Sequence, residues 1–88
     1  MGTPVLKHRF LVTVTLKEGL ANPEGKAIED AAPTMGWQGV SEVRVGKHIT
    51  LTVDADSSEA ARRIAGEMAE RLLSNPVIEE YSVAEESG

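Results

Sequence analysis

Alternating apolar and polar side chains predict that the chain enters its fold as a β-strand. The segment from His8 to Leu16 places apolar side chains at every second position: Phe10, Val12, Val14 and Leu16. The opposite face carries Arg9, Leu11, Thr13 and Thr15. A period of two residues is typical of a strand that is buried on one side. We therefore expect the first of these faces to point into the core.

A helix is predicted next, after the Asn22-Pro23 dipeptide. Asparagine is a favoured N-cap, and proline is tolerated in the first turn because its missing N–H would have no intrahelical partner there. The apolar stripe of this helix comprises Ala27, Ile28, Ala31 and Met35. Since Pro33 removes a backbone donor and clashes with the preceding turn, we expect the helix to kink or end near Ala32 and Gly36 to close the segment.

Two further strands are predicted at Val40–Val45 and Ile49–Val53, joined as a hairpin. A turn of two residues would set Val45 opposite a histidine and mix the apolar and polar faces. A three-residue loop over residues 46–48 instead pairs Val45 with Ile49. We expect the longer loop because it keeps the apolar side chains of both strands on one face.

A second helix and a final strand complete the predicted elements. Residues 56–59, Asp-Ser-Ser-Glu, supply an N-cap and an acidic residue at the position of a capping box. The apolar positions that follow at helical spacing are Ala61, Ile64, Ala65, Met68 and Leu72. Asn75-Pro76 ends this helix, and Val77–Val83 is predicted as a strand with Tyr81 and its last valine on one face.

The resulting order, βαββαβ, predicts an α+β fold of the ferredoxin-like kind, in which two helices cover one face of a four-stranded antiparallel sheet. The other face would carry few charges and several short side chains: Leu11, Thr13, Thr15, Arg44, Thr50 and Thr52. Such a face is either solvated or packed against a second sheet. Because a single core is barely adequate at 88 residues, we favour its use in oligomerisation.

The organisation of the chain indicates a single domain over residues 1–88, with an ordered core at about residues 5–84. No internal repeat or Pro/Gly/Ser-rich linker divides it. The ends, Met1–Pro4 and Ala84–Gly88, are expected to be loose.

Charge and composition narrow the class of function. The net charge of −5 leaves nucleic-acid binding to local basic clusters, and Lys7-His8-Arg9 and Arg62-Arg63 are too short to suggest one. There is no cysteine and no apolar run of about 20 residues, so we expect neither a thiolate site nor a membrane span. A cytoplasmic location fits these features.

No constellation of side chains predicts an active site, a metal site or a cofactor site. His8 and His48 lie apart, at a strand start and in a loop, where a surface position is more common than a metal or base role. Sheets that bind RNA stack bases on exposed aromatics, whereas Phe10 falls on the covered face. A stand-alone acyl phosphatase would need an arginine in the loop after the first strand, and residues 17–22 contain none.

Four short motifs nevertheless occur in order along the chain. They are Pro23 with Gly25, Met35-Gly36-Trp37, Val43-Arg44-Val45-Gly46-Lys47 and Asn75-Pro76-Val77-Ile78. Through them, the run from Leu16 to Leu51 and the segment from Asn75 to Val83 closely resemble the PurS family. Proteins of this family are small subunits of the multi-subunit phosphoribosylformylglycinamidine synthase. The likeness covers nearly the whole chain in one register.

The resemblance implies a non-catalytic role in de novo purine biosynthesis. A PurS-like protein would form a homodimer or tetramer, bridge a PurQ-type glutaminase and a PurL-type synthetase, and assist ammonia transfer between them. ATP and magnesium would be used by the synthetase partner, with no cofactor in this chain. The residues that we expect at the partner interface are Gly25, Lys26, Arg44, Gly46, Lys47, Asn75 and Pro76. The alternative is a regulatory small-molecule-binding domain of the same topology.

Overall fold

The computed structural model describes residues 6–86, and its centre is an antiparallel sheet of three strands. In chain order its elements are β1 (Leu6–Leu16), α1 (Pro23–Ala31), a 3-10 turn (Pro33–Met35), β2 (Lys47–Ala55), α2 (Ser58–Met68), a π-helical turn (Ala69–Leu73) and β3 (Glu79–Glu86). The strand order β2-β1-β3 places β1 in the middle. Val12 thus lies opposite Ile49 on one side and Val83 on the other.

The core lies between one face of this sheet and α2. Phe10, Val12 and Val14 of β1 are fully buried there, as the alternation predicted. The facing side of the helix is built from three buried alanines: Ala61, Ala65 and Ala69. Because alanine projects little beyond the backbone, the helix can lie close to the sheet. α2 begins after Ser57, whose side chain accepts a hydrogen bond from the N–H of Ala60, so the predicted N-cap segment is confirmed.

The π-helical turn changes which leucine reaches the core. Leu72 was predicted on the apolar stripe, but it is 73% exposed, whereas Leu73 packs against the buried cluster around Val12 and Val14. A π-turn inserts one residue into the helical repeat and so rotates every later side chain around the axis. The stripe read at α-helical spacing is therefore wrong for its last residue.

The prediction of a fourth strand is wrong for the described residues. Val40–Val45 forms no sheet ladder and lies against α1 instead. Glu42 has a φ of +57°, a left-handed conformation that interrupts an extended segment. The N–H groups of Val43 and Val45 are satisfied by side chains of the α1 region, which replace the partners that a sheet would provide.

The predicted hairpin loop is also absent, because Lys47 and His48 already belong to β2. The first helix behaves as predicted at its ends: Asn22 caps it, and it gives way to the 3-10 turn at Pro33. It does not, however, pack on the sheet beside α2, so the expected two-helix layer is not formed. Arg44 was expected on the open face of the sheet, but it lies outside the sheet because Val40–Val45 forms no strand.

These differences give the molecule an extended shape. Its radius of gyration is 17.6 Å, whereas a compact chain of this length would have about 12 Å. β1 ends and β2 begins at the same end of the sheet, so residues 17–46, which we call the arm, leave and re-enter the sheet at one place. The arm carries α1 and the 3-10 turn, while α2 and the three strands form the packed body.

The carboxyl end of the chain is more regular than its sequence suggested. β3 continues to Glu86, although Ala84 was expected to begin a loose tail. The paired face is as predicted, since Tyr81 and Val83 lie opposite Val14 and Val12. The other predicted loose segment, Met1–Pro4, and the start of the expected core at residue 5 lie outside the described residues.

Candidate interaction site where the arm meets the sheet

The arm joins the sheet at a small hydrogen-bonded junction, formed by Leu16, Lys17, Arg44 and Gly46. The guanidinium of Arg44 donates to the carbonyl oxygen of Leu16 at 2.6 Å and to that of Lys17 at 3.3 Å. Gly46 lies so close to β1 that a Cβ there would be 2.5 Å from the carbonyl oxygen of Val14. The junction thus depends on one charged donor and one residue without a side chain.

Within the arm, Asn22 clamps the segment 43–45 to the start of α1. Its Oδ1 accepts hydrogen bonds from the N–H groups of Gly25, at 2.9 Å, and Val45, at 3.4 Å. Its Nδ2 donates to the carbonyl oxygen of Val45 at 3.0 Å. Asn22 was predicted as a helix cap, and the structure gives it this second role, which no local sequence pattern signals.

Gly25 allows the same clamp to close. A Cβ at this position would overlap the carbonyl group of Val43, so only glycine lets the two backbones approach this closely. The carboxylate of Glu29 accepts a hydrogen bond from the N–H of Val43 at 3.3 Å. The arm is therefore a unit with its own internal hydrogen bonds.

Two open grooves border the junction. The larger, of about 890 Å³, is lined by Lys26 and Arg44 together with acidic side chains at Glu18, Glu29 and Glu42. The smaller, of about 420 Å³, is lined by residues that include Asn22, Gly46, Lys47 and Glu79. With both signs of charge present, these surfaces suit polar contacts with a protein better than the capture of a simple anion.

Five of the seven predicted interface residues divide into two kinds. Gly25, Arg44 and Gly46 hold the arm and the junction in shape, as described above. Lys26 and Lys47 are exposed. Lys26 forms an ion pair with Asp30 at 3.1 Å, and this hydrogen bond raises the pKa of its ammonium group, which stays charged.

Asn75 and Pro76 lie in the turn before β3. The Asn75 side chain accepts a hydrogen bond from the N–H of Val77, and its carbonyl accepts from Ile78 and Glu79. The N–H of Lys17 in turn donates to the carbonyl oxygen of Ile78 at 2.9 Å. This turn is therefore tied to the junction, although its residues line neither groove.

Sequence reasoning missed an exposed apolar surface on the arm. Its large members are Leu20, Ile28, Met35, Trp37 and Val40, which are 41–67% exposed. Ile28 and Met35 had been assigned to a stripe that faces the sheet. All residues of the predicted stripe are exposed, and the buried residues of this region are Gly25 and Ala32 instead.

A second polar cluster lies at the far end of the body. The carboxylate of Glu85 accepts hydrogen bonds from Ser58 at 2.7 Å and Arg62 at 3.0 Å, and it lies 3.2 Å from Nδ1 of His8. These contacts, led by Ser58, lower the pKa of Glu85. The His8 side chain is only 10% exposed, so its expected surface position is wrong. His48 is exposed on β2.

The described part of the chain offers neither a metal cluster nor a membrane-spanning helix. Among residues 6–86, no group of three or more His, Asp or Glu side chains is arranged to hold a metal ion. No helix of this part is long and apolar enough to span a bilayer.

Comparison with known proteins decides the family. The sequence profile described as "PurS: Phosphoribosylformylglycinamidine (FGAM) synthase" matches residues 9–87. The chain belongs to the PurS family. A PurS subunit from Archaeoglobus fulgidus is 43% identical over 72 residues, which cover 82% of this chain and 90% of that protein. One from Methanothermobacter thermautotrophicus is 40% identical over 79 residues, 90% of this chain and 93% of the relative.

Solved PurS structures have the same fold. The PurS subunit of Thermotoga maritima superposes with a TM-score of 0.86 at 34% identity, covering 94% of this chain and 95% of that one. A chain in the structure described as PurLQS from the same organism gives 0.85 at 34% identity, with 92% and 99% covered. The predicted family is confirmed, as are the α+β class and the antiparallel sheet. As a PurS chain, the protein is a subunit of FGAM synthase in purine biosynthesis, and the ligand-binding alternative is not favoured.

Proposed function

We propose that this PurS subunit bridges a PurQ-type glutaminase and a PurL-type synthetase and assists the passage of ammonia between them. The observation that carries this proposal is the likeness to the chain in PurLQS, which this protein covers over 99% of its length. The junction grooves and the exposed apolar face of the arm supply surfaces for such contacts. The whole described chain acts as one PurS domain in this role.

A bridge is chemically useful because ammonia is protonated and diluted in bulk water. A sheltered path between two sites keeps it neutral and near its acceptor. In this division of labour the synthetase binds ATP and magnesium, and the PurS chain contributes surface complementarity without a cofactor of its own. The complex would work in the cytoplasm.

We further propose that the subunit is a homodimer or a tetramer. Its accessible surface of 6452 Å² exceeds that of a compact monomer of the same mass by roughly 1,400 Å². A standard interface buries about 800 Å² from each partner, so the excess is enough for one self-contact and falls short of two. The apolar face of the arm and the open face of the sheet are the two surfaces available, and their combined use would give a tetramer.

Reconstitution tests the bridging function. Purified glutaminase and synthetase subunits from the same organism are supplied with glutamine, ATP and magnesium, with or without the PurS chain. We expect omission to abolish glutamine-dependent turnover and to spare ammonia-dependent turnover. Equal glutamine-dependent rates with and without the chain would refute the bridge.

The two exposed lysines beside the grooves are the proposed direct contacts. We expect Lys26→Ala combined with Lys47→Ala to raise the concentration of PurS needed for half-maximal glutamine-dependent turnover. Lys7→Ala is the matched control, because Lys7 is an exposed lysine at the opposite end of β1. If the double variant behaves like this control, neither lysine contributes to the interface.

A further inference from the structure

Few hydrogen bonds attach the arm to the body: one is the backbone bond from the N–H of Lys17 to the carbonyl oxygen of Ile78, and the side-chain bond is made by Arg44. The hydrogen bonds that the side chains of Asn22 and Glu29 make with the backbone of Val43 and Val45 lie within the arm. Among the described residues, Arg44 is the one arm side chain that hydrogen-bonds to the end of β1. α1 packs neither on the sheet nor on α2. Hydrophobic contacts with the body therefore do not fix the orientation of the arm either.

Arg44 connects the arm to the end of β1 through its guanidinium, and we call these hydrogen bonds the Arg44 latch. Its guanidinium donates to the carbonyl oxygen of Leu16, the last residue of β1, and to that of Lys17, the first residue of the arm. Both hydrogen bonds come from Nη2, so one charged nitrogen holds the two carbonyl oxygens, and both contacts are charge-assisted. Gly46 closes the other connection, where its backbone lies against β1.

We propose that Arg44 is a positioning residue that sets the angle between arm and sheet, and thereby places the apolar face of the arm for assembly. This role adds to the one that the resemblance implied, since Arg44 also lines the larger groove. The consequence for assembly rests on the bridging function proposed above. The effect on the angle between arm and sheet is independent of that function.

Distance measurement between two spin labels tests the angle directly. The chain has no cysteine, so Glu24→Cys on α1 and Glu70→Cys on the π-helical turn introduce two unique labelling sites. Labelled chains are diluted with unlabelled ones so that distances within a chain dominate. We expect a narrow distribution for the otherwise native chain and a clearly broader one for Arg44→Ala.

Three further variants separate positioning from charge and from general stability. Arg44→Lys should restore most of the narrow distribution, because an ammonium can donate to the same carbonyl oxygens. Arg63→Ala removes an exposed arginine from α2 and should leave the distribution narrow. Arg44→Gln replaces the alanine variant if that one does not fold, as judged by thermal unfolding. A distribution as narrow in Arg44→Ala or Arg44→Gln as in the native chain would overturn the proposal.

Assembly supplies the second measurement. Without the latch, we expect about tenfold more PurS to be needed for half-maximal glutamine-dependent turnover, the size of effect associated with one lost charge-assisted contact. Rescue by Arg44→Lys is expected here too. A broad distribution with unchanged assembly would overturn the link between angle and assembly. Unimpaired turnover after omission of the native chain would instead refute the bridge itself, so the two failures are distinguishable.

Discussion

Gly25 and Gly66 form a matched pair of helical glycines in very different surroundings. A Cβ at Gly25 would overlap the carbonyl group of Val43, whereas one at Gly66 would meet open space. We expect Gly25→Ala to destabilise the protein by about 2–3 kcal/mol, because the clamp must open to accommodate the methyl group. Gly66→Ala should stabilise it by about 0.5–1 kcal/mol through lower chain entropy in the unfolded state.

Chemical unfolding of both glycine variants measures this difference. The substitution is chemically the same at the two sites, so opposite signs would locate the effect in the surroundings. Equal changes in the free energy of unfolding would show that the clamp is looser than the geometry implies.

Glu85 links stability to pH. Hydrogen bonds from Ser58 and His8, together with the charge of Arg62, lower its pKa below the ordinary value of 4.5. A carboxyl group with a lowered folded-state pKa stabilises the fold above its ordinary pKa, and this stabilisation is lost as the pH falls through the folded value. We therefore expect Glu85→Gln to be less stable than the native chain at neutral pH, with a difference that shrinks below pH 4.5.

Thermal unfolding across a pH series measures that difference. Ser58→Ala is the companion variant, because it removes the largest cause of the lowered pKa and leaves the carboxyl group in place. It should show a weaker dependence on acid pH than the native chain. A stability difference for Glu85→Gln that stays constant through acid pH would contradict the linkage.

Two adjacent leucines at the end of the second helix lie in different surroundings. Leu73 packs on the core beside Val12, while Leu72 is 73% exposed. We expect Leu73→Ala to lower the free energy of unfolding by about 2 kcal/mol through lost burial. Leu72→Ala should change it by less than about 0.5 kcal/mol in denaturant unfolding. If Leu72→Ala lowered the free energy of unfolding more than Leu73→Ala, the helix would have to continue with regular α-helical spacing.

The segment Val40–Val45 shows why a strand prediction can fail although its reasoning is sound. The alternation is real, since Val43 and Val45 are half-buried and Glu42 and Arg44 are exposed. What the pattern could not specify is the partner. Side chains of Asn22 and Glu29 satisfy the backbone more locally than a second strand would, and they are indistinguishable in sequence from an ordinary cap and a solvated charge.

The extended shape leads to a prediction about self-association. Trp37 is the single tryptophan of the chain and lies on the apolar face of the arm with 58% exposure. If that face is covered in the oligomer, its fluorescence emission should shift to longer wavelength when the protein is diluted and dissociates. Mass measurement by light scattering should follow the same concentration dependence.

A charge introduced into the arm tests whether this face is the one involved. Ile28→Asp should move the dissociation to higher protein concentration, because burying an unpaired carboxylate is costly. Arg63→Asp, on the exposed side of α2, is the control and should leave it unchanged. A mass equal to one chain of 9.4 kDa at all concentrations would exclude self-association through the arm.

The sequence by itself determined the features that depend on neighbours along the chain. The buried face of β1 follows from strict alternation, the caps at Asn22 and Ser57 from local hydrogen bonding, and the end of α1 from the ring of Pro33. The motifs determined the family for a similar reason, since their order and spacing are properties of the linear sequence. Each of these properties needs only a few adjacent residues.

The tertiary structure alone decided where the arm goes, which leucine meets the core and what Arg44 and Gly25 do. An apolar stripe states that a surface must be covered, but the covering partner is chosen by competition among distant groups with similar energies. Here residues 43–45 are held in the arm and form no fourth strand. The contacts that hold them are the close packing of Gly25 against the carbonyl group of Val43 and the hydrogen bond from Arg44 to Leu16 at the end of β1. The apolar side of α1 stays exposed as a result.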